Sequence, residues 1–119
     1  MGLFLVRGRL TGPTGRSDDA ELLVDTGATL LVVPRALAER LEPVAQRSQQ
    51  VLIAGGRRAA WPVVNVNLSL NGPDVPTPCF IAPDGPALLG AVALESLFLA
   101  VDSVAKRLIP VEGFVGAAP

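Results

Sequence analysis

Leu22-Leu23-Val24-Asp25-Thr26-Gly27-Ala28-Thr29 is the stretch on which the reading of this chain turns. Three apolar residues suit a buried strand, and Asp-Thr-Gly then breaks the run into a loop. The strand therefore delivers a carboxylate at its end. Gly27, with no Cβ, lets the backbone come close to whatever that carboxylate faces. Asp-Thr-Gly occurs once in the 119 residues.

Outward from this stretch, glycines and prolines punctuate the chain. Leu3 to Leu10 reads as a strand, Gly12-Pro13-Thr14-Gly15 as a turn, and Ala20 to Val24 as the strand that carries Asp25. Leu30-Leu31-Val32-Val33 is a continuous apolar run, as a buried strand requires. Pro34 suits the first position of a helix over Arg35 to Leu41, with Leu37 and Leu41 on one face and Pro43 ending it. Val44 to Ala54 reads as extended, Gly55-Gly56 as a tight turn, and Ala59 to Leu70 as the antiparallel return. In that return Val64, Val66, Leu68 and Leu70 alternate with Asn65, Asn67 and Ser69, the period of a half-buried strand.

Asn71-Gly72 predicts another hairpin, returning through Val75 to Ala82. Pro73, Pro76 and Pro78 assign that return to an edge or an irregular strand, since proline cannot donate to a ladder. Asp84-Gly85-Pro86 turns again. Ala87 to Gly90 predicts a short buried strand, Ala91 to Leu97 a short helix, and Phe98 to Asp102 and Arg107 to Val111 two closing strands. The end at Pro119 is expected to fray. The sum is a mostly β domain with two short helices and no internal repeat.

Composition bounds the chemistry. A chain of 119 residues suits one domain. At that size roughly 65% of the unfolded surface can be buried, so a core forms without staples. Half the residues are hydrophobic and 18% are charged, which argues against disorder and hints at self-association. The net charge of −1 gives no reason to expect a nucleic-acid partner, and Arg57-Arg58 is a local pair rather than a basic stripe. No apolar run is long enough for a membrane span, and Leu3 to Val6 is too short for a signal-peptide core. The cytoplasm is the expected compartment.

The chain has no histidine, which excludes Ser-His-Asp and Cys-His catalysis and any zinc site that needs histidine. The single cysteine, Cys79, lies in apolar Pro78-Cys79-Phe80-Ile81 and reads as a buried strand residue rather than a reactive thiol. Ser103-Val104-Ala105-Lys106 matches the Ser-x-x-Lys pattern of serine acyltransferases, but nothing else of that signature is present. Asp102 reads as a strand-end residue. Trp61, the only tryptophan, fits either a pocket wall or a core or interface position.

Taken in order, these parts resemble the retropepsin-like aspartic proteases, the single-domain relatives of pepsin, from about Leu3 to Val111. Asp25-Thr26-Gly27-Ala28 resembles the catalytic loop. Leu52-Ile53-Ala54-Gly55-Gly56-Arg57 resembles the flap, the hairpin that closes over substrate. Leu88-Leu89-Gly90 and the helix after it resemble the element that supports the catalytic loop, and the closing strands resemble those of small bacterial and archaeal members.

The resemblance implies an acid-protease barrel and an aspartic endopeptidase with no metal or cofactor. Asp25 would be catalytic, Thr26, Gly27 and Ala28 its loop, and Ala54, Gly55 and Gly56 the substrate-binding flap. Peptide hydrolysis by water needs a base and an acid, and two carboxylates sharing one proton supply both. One motif per chain implies a homodimer that brings two Asp25 side chains together on a peptide or protein substrate. Specific activity should then fall on dilution.

In the family the threonine of the loop hydrogen-bonds across the two loops, and the Gly27 N–H can donate to Asp25. Apolar N- and C-terminal strands would let the termini interleave, as in retroviral members. Pepsin-like enzymes often place Ser or Thr where Ala28 stands. Losing that donor moves the expected activity toward weakly acidic or near-neutral pH. Leu30, where some retroviral enzymes carry an acidic residue, predicts an apolar pocket. The alternative is a catalytically silent module of the same fold that binds peptides or only dimerises.

Overall fold

The computed structural model describes residues 3–113, 115 and 116, with the side chain of residue 46 left out. The Pro119 end lies outside the described residues. In chain order the elements are β1 (Leu5–Thr11), β2 (Ser17–Val24), β3 (Leu31–Pro34), α1 (Arg35–Leu41), β4 (Ala45–Leu52), β5 (Arg58–Ser69), β6 (Asp74–Ala82), β7 (Leu88–Leu89), α2 (Ala91–Ser96), β8 (Leu99–Asp102) and β9 (Arg107–Pro110). The architecture is mostly β with two short helices, as the sequence predicts. Among the described residues no helix is long and apolar enough to cross a membrane.

Seven strands form one sheet in the order β1-β2-β7-β3-β6-β5-β4, and β1 also pairs with β5, which curls the sheet back on itself. β8 and β9 form a separate antiparallel hairpin. The two-residue β7 is inserted between β2 and β3, parallel to β2 and antiparallel to β3. It thereby lies between the strand that enters the Asp25 loop and the strand that leaves it.

One layer of apolar side chains fills the fold. Leu10, Leu22, Leu31, Leu68, Leu89 and Cys79 are fully buried in it, and Leu37 and Leu41 of α1 pack from one side. The alternation in β5 is as expected, with Val64, Val66 and Leu68 buried and Asn65 and Asn67 exposed. Burial pushes the Cys79 thiol up to about 12, with the Val33 backbone a smaller opposing influence. Thiolate formation is thus disfavoured in the fold. Its contribution to stability is complete below the ordinary thiol value and is lost as pH rises toward 12. In native protein near neutral pH, a thiol reagent is expected to label Cys79 at least ~1000-fold more slowly than in denaturant. Equal rates would show that this core opens freely.

Turn residues act as the sequence suggests. Asn71 and Gly72 both have positive φ, as a two-residue hairpin turn needs, and the Leu70 N–H donates to the Pro73 carbonyl. Asp102 accepts the Val104 and Ala105 N–H groups with one oxygen, which holds its carboxyl below the ordinary value; Arg107 adds to this. Asp102 is therefore a turn residue, and Ser103 and Lys106 sit exposed in the same turn.

Two expectations need correction. Pro34 is the residue before α1 rather than its first turn, with extended backbone at ψ 152°. β6 is not an edge strand along its whole length, because its second half, Cys79–Ala82, pairs with β3, and Cys79 and Phe80 pair with β5 as well. Pro76 and Pro78 are accommodated because they lie before that half, where β5 is the only ladder partner. Two residues apart, they turn their missing donors to the same open side.

Candidate active site

β2 brings Asp25 to the end of the sheet, and β7 fixes it there. The Leu23 N–H donates to the Ala87 carbonyl at 2.9 Å, and the Asp25 N–H to the Leu89 carbonyl at 3.0 Å. The loop closes on itself through the Ala28 N–H and the Asp25 carbonyl, 3.1 Å apart. The Gly27 N–H donates to Asp25 Oδ1 at 2.9 Å, which orients the carboxylate.

The far side of the loop is held by α2. A helix begins with N–H groups that have no partner inside it. Here the Ala91 N–H donates to the Ala28 carbonyl and the Val92 N–H to the Thr29 carbonyl, at 2.9 and 3.0 Å. Gly90 makes this contact possible. A Cβ there would lie 2.7 Å from the Ala28 carbonyl oxygen and closer still to that of Leu30.

The loop opens onto a cleft of about 660 Å³. Asp25, Gly27, Ala28, Thr29 and Leu30 line one end and Leu52, Ile53 and Ala54 the other. Val32, Phe80 and Leu88 contribute apolar wall, as does Trp61, whose ring meets Phe80 edge-on at 6.2 Å. The pocket is apolar around Leu30, and Trp61 takes the pocket-wall position. Asp25 is half-buried, while Thr26 and Gly27 are exposed.

Of the residues singled out by sequence, Asp25, Gly27, Ala28 and Ala54 line this cleft, and Thr26, Gly55 and Gly56 do not. Thr26 accompanies Asp25 on the exposed tip of its loop. Gly55 and Gly56 form the tip of the β4–β5 hairpin with φ of 99° and 92°, closed by the Gly56 N–H on the Ile53 carbonyl. They turn the chain at the hairpin tip, and Ile53 and Ala54 line the cleft beneath it. Sequence reasoning missed Arg47 and Gln49, which also line it. β4, Ala-Gln-Arg-Ser-Gln-Gln-Val-Leu, has no apolar alternation from which an inward face could be read.

The family model described as aspartyl protease matches residues 6–93, which include the Asp25 loop, the β4–β5 hairpin and Leu88-Leu89-Gly90. The chain belongs to the aspartyl protease family. No curated protein matches it. Among solved structures it is similar to EIAV protease in complex with the inhibitor HBY-793, with TM-score 0.61, 19% identity and coverage of 89% of this chain and 91% of that one. It is also similar to the protease of Simian Foamy Virus (mac) in solution, with TM-score 0.56, 16% identity and coverage of 76% and 91%. These likenesses show that this aspartyl protease family member has the retropepsin-like fold.

Proposed function

We propose that the chain is an aspartic endopeptidase whose active site forms when two copies bring their Asp25 loops together, residues 1–119 acting as one domain. The observation that carries the reading is the Asp25 loop itself. Its carboxylate faces a substrate-sized cleft, oriented by Gly27, and each chain has one such group where the chemistry needs two. Thr26 and Gly27 lie exposed beside it, on the surface a second copy would cover.

The chemistry follows from two carboxylates a hydrogen bond apart. They share one proton, because like charges so close do not both ionise. The ionised carboxylate takes a proton from water as its oxygen attacks the scissile carbonyl carbon. The protonated one donates to the carbonyl oxygen, giving a gem-diol. The C–N bond then breaks as the leaving nitrogen takes the proton from one carboxyl group while a gem-diol hydroxyl gives its proton to the other carboxylate, so the pair again holds one proton. Gly27 permits close approach of the peptide, and the β4–β5 hairpin covers it from the other side.

The test is cleavage of a peptide library across roughly pH 3 to 8, at concentrations that favour association. Ala28 offers no hydroxyl to the ionised carboxylate, so cleavage is expected to peak at weakly acidic to near-neutral pH. A profile that peaks only near pH ~2 would contradict that account of Ala28. No cleavage by a folded, associated protein would favour a silent peptide-binding or dimerisation module.

A further inference from the structure

The register of the sheet sets a row of side chains along the cleft, four of which, Leu88, Val32, Phe80 and Arg47, line it. Leu88 pairs with Val32, Val32 with Phe80, Phe80 with Val63, and Val63 with Arg47. Residues paired across strands share a face, so these five side chains run in line over β7, β3, β6, β5 and β4. Val32 and Val63 are buried yet stand outside the main core, which places the row on the opposite face of the sheet. The row is apolar until its last member. Arg47 is the one cation among the residues lining the cleft, and Asp25 the one anion.

Arg47 reaches this face through the regular register of the β4–β5 hairpin, in which Arg47 to Leu52 pair in step with Val63 to Arg58. Ala45 lies opposite Val64, a core residue, and Arg47 lies opposite Val63 on the cleft side. Two steps along an unbroken strand keep the same face. The shift between Ala45 and Arg47 therefore ends that register, and Arg47 is the first residue of the unbroken stretch to stand on the cleft side. Arg47 Nη1 donates to Gln49 Oε1 at 3.0 Å, and Gln49 stands opposite Trp61 on the same wall. Among the described residues no carboxylate pairs with Arg47, as is true also of Arg7, Arg35, Arg57 and Arg58, and of these five Arg47 alone lines the cleft.

We infer that Arg47, steadied by Gln49, is a specificity-determining residue that selects peptides carrying a carboxylate away from the scissile bond. The inference rests on the endopeptidase reading and names its substrate class. An apolar wall ending in a cation fits a peptide with apolar side chains toward Asp25 and a carboxylate beyond them. Four inter-strand steps of roughly 4.8 Å separate Leu88 from Arg47 along the sheet, so the carboxylate belongs several residues out rather than beside the cleaved bond. It is either an Asp or Glu side chain or the free C-terminus of the peptide.

The experiment pairs cleavage with binding. Peptides cut by the wild type carry Glu or Gln at successive positions around the bond, each with a free or an amidated C-terminus. Binding to Asp25→Asn protein, followed by fluorescence anisotropy, reads the same preference without hydrolysis. A Glu is expected to raise kcat/KM and affinity at least ~10-fold over Gln at one position, an effect of charge-assisted hydrogen bonding. Arg47→Gln is expected to shrink that ratio to within ~2-fold, and Arg47→Glu to favour Lys at the same position. If amidation rather than Gln abolishes the preference, the carboxylate is the terminal one. Cleavage with no Arg47-dependent preference overturns the inference and leaves the endopeptidase standing. Arg47-dependent binding without cleavage does the reverse. Failure to bind or cleave any peptide overturns both.

Discussion

Asp25→Asn is expected to reduce peptide cleavage by a factor of about 1000 or more while leaving the fold intact. The amide has the size of the carboxylate, and its oxygen can still accept the Gly27 N–H now bonded to Asp25 Oδ1. The backbone bonds from Leu23 and Asp25 to the Ala87 and Leu89 carbonyls do not involve the side chain. Thermal unfolding should therefore stay within ~1 kcal/mol of the wild type. What is lost is the ionised group that takes the proton from water, which an amide cannot replace. Cleavage that persists undiminished in a purified, folded Asp25→Asn protein would remove Asp25 from the mechanism.

Gly90→Ala is expected to destabilise the fold strongly. The added Cβ would collide with the Ala28 and Leu30 carbonyl oxygens, both backbone atoms that cannot turn aside like a flexible side chain. Relief requires moving α2 away from the loop, breaking the bonds of the Ala91 and Val92 N–H groups to the Ala28 and Thr29 carbonyls. A cost of at least ~3 kcal/mol follows, a large share of a domain stability of about 5–15 kcal/mol. The melting temperature should fall by roughly 10 °C or more, and activity should fall with it. Gly55→Ala makes the control. Nothing lies within 4 Å of its Cβ, and only its φ of 99° opposes a side chain. Its cost should be ~1–2 kcal/mol. Equal melting temperatures for the two variants would contradict the packing of Gly90 against the loop.

Gly90 also shows what the sequence made legible. Leu88-Leu89-Gly90 could be placed as a short strand before a helix, because an apolar pair between Pro86 and Gly90 has few other local choices. Its insertion between β2 and β3 could not be read from periodicity. Leu23 and Leu88 pair across some sixty residues, and nothing local in either segment names the other. The boundaries of β1 and β5 were legible to within about two residues because Gly12-Pro13, Gly55-Gly56 and Asn71-Gly72 mark the turns.

The prolines of β6 misled for the opposite reason. They report a missing donor correctly but do not say how far the neighbouring strand extends, and β3 begins to pair only at Cys79. In the site, Asp25, Gly27 and Ala28 were legible because the loop motif is local. Gly55 and Gly56 were legible as a hairpin turn, whereas Ile53, which lines the cleft beside Ala54, was not singled out. Arg47 stayed hidden because a strand of mixed polar residues gives no sign of which of its faces turns toward the cleft.

The central claim is that one active site uses Asp25 from two chains. The measurement that tests it most directly mixes wild-type and Asp25→Asn protein in equal amounts, allows subunits to exchange, and compares peptide cleavage with wild type at the same total concentration. If each site needs both carboxylates, only wild-type pairs cut, and activity is expected to fall to about one quarter. Activity of about one half, in proportion to the wild-type chains present, would mean that each chain carries a complete site and would contradict the account.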